Sequence, residues 1–395
     1  MKDNLKKLIF ICGSCLLFFR RKKILKSDVK SVLVIMLYFR GDAVMCTPAL
    51  RMLKKILPDS AIDVWVKSRA ADIMSGNPNI RSVIVYDGFR TADYEEASDT
   101  GLSDKVKFVR ELRKKRYDLC IDLTGKYSTA LVALAGGFRY SSGINYNGFG
   151  FCYSKFVDID TQHTAGHLSG KYNRIIRQTF GIEEPEWNDS GGNDLRGEIN
   201  LNESAVAIAR GRLRECGLPA GKPLVCIQPS AGWNAKEWDE GSYAELMRKF
   251  SGEFDYILIG GKSEKSRLGR IAGSAGLDTG RVMASGSLTD SAAIISVCDV
   301  FAGSDSAGLQ LAGALGIPSV AIFGPTNPSF SNPPGEEHVV LYSRLSCSAP
   351  DTEQYCTRNA GKTCATIDCM RSISPDDVVN SLRLAVRQKR NFAKT

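Results

Sequence analysis

The chain has 395 residues, 43% of them hydrophobic and 24% charged, with a formal charge of +9 and twelve cysteines. That length exceeds what one hydrophobic core usually serves, so two domains are expected. Residues 1–30 carry nine Lys and Arg against Asp3 and Asp28, hence +7 of the +9; the remainder is nearly balanced and shows no groove- or base-contact motif, which argues against a nucleic-acid partner.

Within that basic tail lies Leu8-Ile-Phe-Ile-Cys-Gly-Ser-Cys-Leu-Leu-Phe-Phe19, twelve residues where about 20 are needed to span a bilayer. Arg20-Arg-Lys-Lys23 follows where a signal-peptide cleavage site would want small residues. An interfacial helix meeting anionic lipid is the reading that fits best, with a core-packing helix and a cleaved or disordered tail as alternatives. No other segment is long and apolar enough to cross a membrane.

Ser31–Leu37 then reads as a continuous apolar strand, the pattern of a sheet covered on both faces. A helix from about Pro48 to Leu57 follows, then the strand Ala61–Val66, a helix from about Ala70 and the strand Ser82–Tyr86. A charged helix near 102–115 and the strand Asp118–Asp122 continue the alternation. Residues 138–160, rich in glycine and aromatics, predict loops and short strands, and 164–180 a helix. Residues 182–202 lose periodicity, and the linker is placed at 186–203. The alternation restarts with strands at 224–228, 256–259, 281–283, 300–301 and 320–323 and helices at about 240–250, 263–275, 290–297 and 307–315. The expected architecture is α/β: an N-terminal domain over 31–185 and a C-terminal domain over 204–345, each a parallel sheet covered by helices, facing a central cleft. A segment with cysteines and a final helix complete 346–395.

Chemistry is expected where strands end, since helix N-termini there point free N–H groups at ligands. Gly303-Ser304-Asp305-Ser306 and Gly324-Pro325-Thr326 form two successive polar strand ends suited to a phosphorylated ligand. Gln228-Pro229-Ser230 with Lys236 adds a hydroxyl and a cation, and Ile259-Gly260-Gly261 offers bare backbone for a base or ribose. An ordinary α/β unit with small residues for close packing is the plainer alternative. GxGxxG and GxxxxGK(S/T) are absent. In the first domain Gly41 allows a tight turn or close ligand approach. Asp42 beside it reads as a helix cap or as a general base that takes a hydroxyl proton during attack. Lys126, after Asp122-Leu-Thr-Gly125, is a cation at a strand end suited to acidic sugars. His167 sits in the helix over 164–180, with His163 just before it, and either reads as a surface or capping residue or as an acceptor contact.

Gly41-Asp42 with Thr47-Pro48-Ala49-Leu50, Asn77-Pro78, Pro229-Ser230-Ala231-Gly232 with Lys236 and Trp238, Ser287-Leu288-Thr289, and Gly303–Ser306 through Phe323–Thr326 together resemble glycosyltransferase family 9, the ADP-heptose:lipopolysaccharide heptosyltransferases. The resemblance covers most of the chain and implies a two-domain GT-B architecture with metal-independent, inverting transfer of heptose from ADP-heptose to an inner-core sugar of a lipid-linked acceptor. It implies Asp42 as base, with Gly41, Lys126 and His167 on the acceptor side and Ser230, Lys236, Gly261, Ser304, Asp305, Ser306, Gln310 and Thr326 around the donor. The implied place of work is the cytoplasmic face of the inner membrane, with peripheral attachment. Many relatives show Asp-(Ser/Thr)-Gly-x-x-His where this chain has Asp305-Ser306-Ala307-Gly308-Leu309-Gln310. Glutamine donates a hydrogen bond but cannot become cationic, so the alternatives are transfer of another sugar to another glycan or protein acceptor, or a weakened sugar-nucleotide-binding relative.

Eight cysteines are scattered, several inside apolar runs such as Val225-Cys226-Ile227, where they serve as small hydrophobes. The other four, Cys347, Cys356, Cys364 and Cys369, stand in a polar segment with few large apolar residues. A structural zinc or iron, disulfides or free thiols are the three readings. The site is expected away from the chemistry at Asp42.

Overall fold

A computed structural model describes residues 23–89, 100–157, 166–182, 195–218, 221–350, 355–359 and 361–392. The apolar run at 8–19, His163 and most of the expected linker lie outside the described residues. The chain divides into two compact units, one within residues 1–161 and 169–188, the other within 162–168 and 189–395.

The first unit holds a six-stranded sheet of β1 (Ser31–Ile35), β2 (Ala61–Val66), β3 (Ser82–Val85), β4 (Leu119–Asp122), β5 (Tyr140–Ile144) and β6 (Lys155–Val157). Its order is β3-β2-β1-β4-β5-β6, and every pairing is parallel. Leu33, Ile35, Trp65 and Cys120 anchor one apolar cluster of this unit. Folding begins before residue 31: Ile24 and Val29 are buried, and Asp28 accepts from Tyr140 and pairs with Arg139. The expected tail is therefore shorter than 30 residues.

The helix expected from Pro48 starts at Arg40 and runs to Ile56. Proline inside a helix leaves the carbonyl four residues earlier without its donor. Here the Thr47 hydroxyl donates to that carbonyl, Val44 O, at 2.7 Å, so the helix runs through Pro48.

The second unit repeats the plan with β7 (Leu224–Gln228), β8 (Asp255–Gly261), β9 (Val282–Ser285), β10 (Val300–Ser304), β11 (Ser319–Phe323) and β12 (His338–Tyr342). The order β12-β11-β10-β7-β8-β9 is that of the first sheet, strand for strand. The sixth strand was not expected. It is an edge strand, and only His338 of its five residues is buried. Helices Tyr127–Ala135 and Glu203–Glu215, also unexpected, flank the sheets. The final helix, Pro375–Phe392, starts on a reciprocal cap in which Ser374 and Asp377 exchange backbone-to-side-chain bonds of 2.9 and 3.2 Å. Its Val378, Val379 and Leu382 close a core with Val300, Val320 and Ile322.

Candidate active site

In a sheet of this order, the strand direction of the connections reverses between the first and fourth strands, and ligands bind beyond their carboxyl ends. In the second unit those strands are β7 and β10. Beyond β7, Ser230 is buried and its hydroxyl has no hydrogen-bond partner. Beyond β10, Ser304 is fully buried and Asp305 nearly so. Ser306 precedes the helix Ala307–Ala314 in extended conformation without capping it through its side chain, which leaves first-turn N–H groups free of an intrahelical partner. After β11, the Thr326 hydroxyl is likewise buried without a partner. Unpaired buried hydroxyls are costly in a folded protein, so each calls for a water, an ion or a ligand to complete its bonding.

Lys236 reaches this cradle from the short 3-10 turn Asn234–Lys236. Its ammonium lies 2.5 Å from Asp305 Oδ2 and 4.4 Å from the Trp233 ring centre. A second cation, Lys362, lies 5.3 Å from the same ring. Beside β10, Gln228 Oε1 stands 3.4 Å from the Ser306 hydroxyl. Gln310 takes another direction: its amide donates to Ser331 O at 2.6 Å, in a buried setting. At the end of β8, the Gly261 N–H is bound by Glu264 at 2.6 Å, so a ligand there meets a carboxylate as well as bare backbone. Trp233, Lys362 and Glu264 stand here without having been expected. Trp233 was legible as the aromatic three residues before Lys236; the others depend on tertiary placement.

In the first unit, β1 and β4 hold the equivalent positions. Asp42 and Gly41 lie in the first helical turn after β1, both half-buried. Gly41 is helical rather than in a tight turn, and an acid there is favoured by the helix dipole. Cys46, one turn on, Tyr38 and Tyr172 surround Asp42. Burial first, and the Asp42 charge among the smaller causes, push all three of their pKa values well up. They remain protonated at neutral pH beside the carboxylate. The Tyr38 and Tyr172 ring centres are 5.3 Å apart. Beyond β4, the fully buried Asp122 accepts from Thr124 N, Gly125 N and Tyr153 OH at 2.9, 3.1 and 2.7 Å. That fixes the turn that delivers Lys126, half-buried at the start of helix Tyr127–Ala135. His167, expected on the acceptor side, is buried and falls within the second unit.

A family model described as glycosyltransferase family 9 (heptosyltransferase) matches residues 105–360, more than half of the chain. The chain belongs to glycosyltransferase family 9. Lipopolysaccharide heptosyltransferase 3 of Escherichia coli is 24% identical over 75% of this chain and 84% of its own length. A solved family 9 glycosyl transferase from Veillonella parvula DSM 2008 superposes with a TM-score of 0.73 at 21% identity, covering 92% of this chain and 99% of the other. E. coli ADP-heptose lps heptosyltransferase II gives 0.69 at 21% identity, over 91% and 99%. The family 9 fold is thus the GT-B-like pair of parallel sheets described above. Among the described residues, no helix is long and apolar enough to cross a membrane.

The four clustered cysteines of this family 9 chain line one cavity of about 230 Å³, together with Arg358 and Pro325. As they stand, no three metal-ligating side chains among the described residues are gathered at a distance that would hold an ion. Burial, then the neighbouring Cys356, raises Cys369 to about 11. Backbone N–H groups of Ile367 and Thr366 lower Cys364 to about 7. All ten described cysteines are free thiols.

Proposed function

We propose that this protein transfers heptose from ADP-heptose to an inner-core sugar of a lipid-linked oligosaccharide, inverting the anomeric centre. The single observation that carries the donor half is the set of strand ends beyond β7, β10 and β11, which hold the unpartnered Ser230 and Thr326 hydroxyls and the Lys236–Asp305 pair. Names of the relatives, lipopolysaccharide heptosyltransferases among them, support the sugar and the acceptor class.

In this reading the first unit binds the acceptor through Gly41 and Lys126, and the second binds the nucleotide sugar. Asp42 removes the proton of the acceptor hydroxyl as its oxygen attacks the anomeric carbon and the bond to the diphosphate breaks. Charge growing on the departing ADP is met by Lys236, the Ser230 and Thr326 hydroxyls and the N–H groups opening helix Ala307–Ala314. These donors let the transfer step run without a metal ion, so turnover is expected to be indifferent to added Mg²⁺. The enzyme is proposed to work at the cytoplasmic face of the inner membrane, held there by the basic apolar tail.

A different donor sugar is the second reading, and Gln310 favours it. Its amide is committed to Ser331 O, so it does not stand in for a histidine that reaches the diphosphate. Presenting the purified protein with ADP-, UDP- and GDP-linked sugars and a heptose-deficient lipid acceptor tests both. ADP-heptose is expected to be consumed with inversion, read from the anomeric coupling in the product. Exclusive use of another nucleotide sugar, or a retained configuration, overturns the proposal.

A further inference from the structure

Helix Tyr127–Ala135 of the first unit is turned inside out. It contains no charged residue, and its hydroxyl-bearing Ser128 and Thr129 are buried together with Ala130, Val132 and Ala133. Thr129 is satisfied there because its hydroxyl donates to Lys126 O at 2.9 Å. The large apolar side chains stand outside: Tyr127 is 57% exposed and Leu131 46%, with Leu134 half-buried. A surface helix ordinarily gives its apolar stripe to the core and its polar face to water. Here Tyr127 and Leu131, one turn apart on the same face, point the stripe outward.

The stripe widens through the 3-10 turn Tyr146–Cys152. The half-buried Phe149 has its ring centre 6.2 Å from that of Tyr127, and Phe151, also half-buried, lies 5.8 Å from Phe149. Single exposed apolar residues need no explanation, but a contiguous patch of aromatic and leucine side chains marks a surface that meets something other than water. Cations stand at both ends of the helix. Lys126 precedes its first residue, and just past its end the Arg139 guanidinium pairs with Asp28 at 2.8 Å. That pair lies where the basic segment joins the fold: Lys23, Lys26 and Lys30 are exposed around Asp28, and Leu25 is exposed among them. An acidic protein face would match these cations and leave the aromatic stripe unmatched. An anionic lipid surface takes both, with tyrosine at the headgroups, leucine and phenylalanine at the acyl boundary and lysine and arginine on the phosphates.

We propose that the outer face of helix Tyr127–Ala135, with Phe149 and Phe151, lies against an anionic lipid surface and sets how the first unit stands on it. The basic tail supplies attachment and this face supplies orientation, since stable anchoring takes two signals and either alone is marginal. The stripe starts beside Lys126, at the carboxyl end of β4. Contact along it therefore holds that strand end close to the lipid, within reach of a lipid-linked acceptor. That last step rests on the acceptor reading above; the lipid contact itself does not.

The test uses full-length protein and vesicles of phosphatidylcholine with anionic phosphatidylglycerol. Leu131→Glu is expected to bind them roughly tenfold more weakly than wild type. Ile208→Glu, the same kind of change at an exposed residue of the second unit, is expected to bind as wild type does. Tyr127→Trp gives a direct reading: the emission it adds to that of wild type is expected to be quenched by lipids brominated on their acyl chains. Unchanged vesicle binding by Leu131→Glu, or no added quenching in Tyr127→Trp, overturns the contact. A lipid-free dimer of wild-type protein that Leu131→Glu dissociates overturns it as well and gives the face to a second copy of the chain. Quenching in a protein that transfers nothing from ADP-heptose supports the lipid contact and removes only the acceptor reading.

Discussion

Asp42 is a carboxylate whose near neighbours, Tyr38, Cys46 and Tyr172, all keep their protons at neutral pH. Asp42→Asn keeps the shape and removes the basicity, so turnover is expected to fall at least ~100-fold while ADP affinity stays put; near-normal turnover would remove the base role. Lys236 poses a different question, because it already has a counter-charge. Its pair with Asp305 is mostly shielded, with side-chain exposures of 11% and 12%. Removing one partner of a buried pair leaves the other charge stranded, a loss of about 3 kcal/mol or more. Lys236→Ala is therefore expected to unfold at lower denaturant concentration and to bind ADP much more weakly, with adenosine affinity nearly unchanged. Equal losses for the two ligands would show that the lysine serves the fold and not the diphosphate.

At the scale of elements, the helix Ala307–Ala314 shows how tightly the cradle is built. A methyl on Gly308 would collide with Gln228 Oε1 and stand 3.0 Å from the Phe301 ring. Gly308→Ala is expected to cost about 1–3 kcal/mol in chemical denaturation and to weaken ADP binding, since Gln228 and Ser306 would be displaced together. Unaltered stability and affinity would mean that the helix start shifts freely. The strands β1, β7, β8, β10 and β11 were legible in the sequence because each is an unbroken apolar run. Once the parallel order is assumed, Ser230, Ser304–Ser306 and Thr326 follow the carboxyl ends of β7, β10 and β11. Edge strand β12 escaped because half-exposed residues carry no such run, and helix Glu203–Glu215 because it exposes even Ile208. Pro48 misled as a helix start, since no one-dimensional pattern announces that a threonine hydroxyl will cover for proline. The Lys236–Asp305 pair and the turn of Gln310 toward Ser331 were illegible for a similar reason: both depend on how distant loops settle.

For the whole molecule, pH and truncation are the broad probes. His338 sits in the second unit 2.9 Å from the Ser319 hydroxyl, and burial first of all lowers its pKa to about 4. The unfolded chain takes up that proton near pH 6.5, so it binds more protons than the native state between those values. Stability is thus expected to be full above about pH 6.5 and to decline as pH falls toward 4; His338→Gln should flatten that part of the profile, and an unchanged slope would point to other groups. Removing residues 1–22 spares the buried Ile24 and is expected to release the protein from anionic vesicles without lowering its unfolding temperature; vesicle binding that persists would move the anchor elsewhere. The place of the final helix carries a consequence for synthesis. The first sheet is complete by residue 157, but β10 and β11 receive their cover from residues 375–392. Until residues 375–392 have left the ribosome, the second unit presents bare valine and isoleucine to the cell, the kind of surface that recruits chaperones or invites aggregation. A nonsense mutation just before Pro375 would make that exposure permanent, so it should remove the protein from the cell rather than merely slow it.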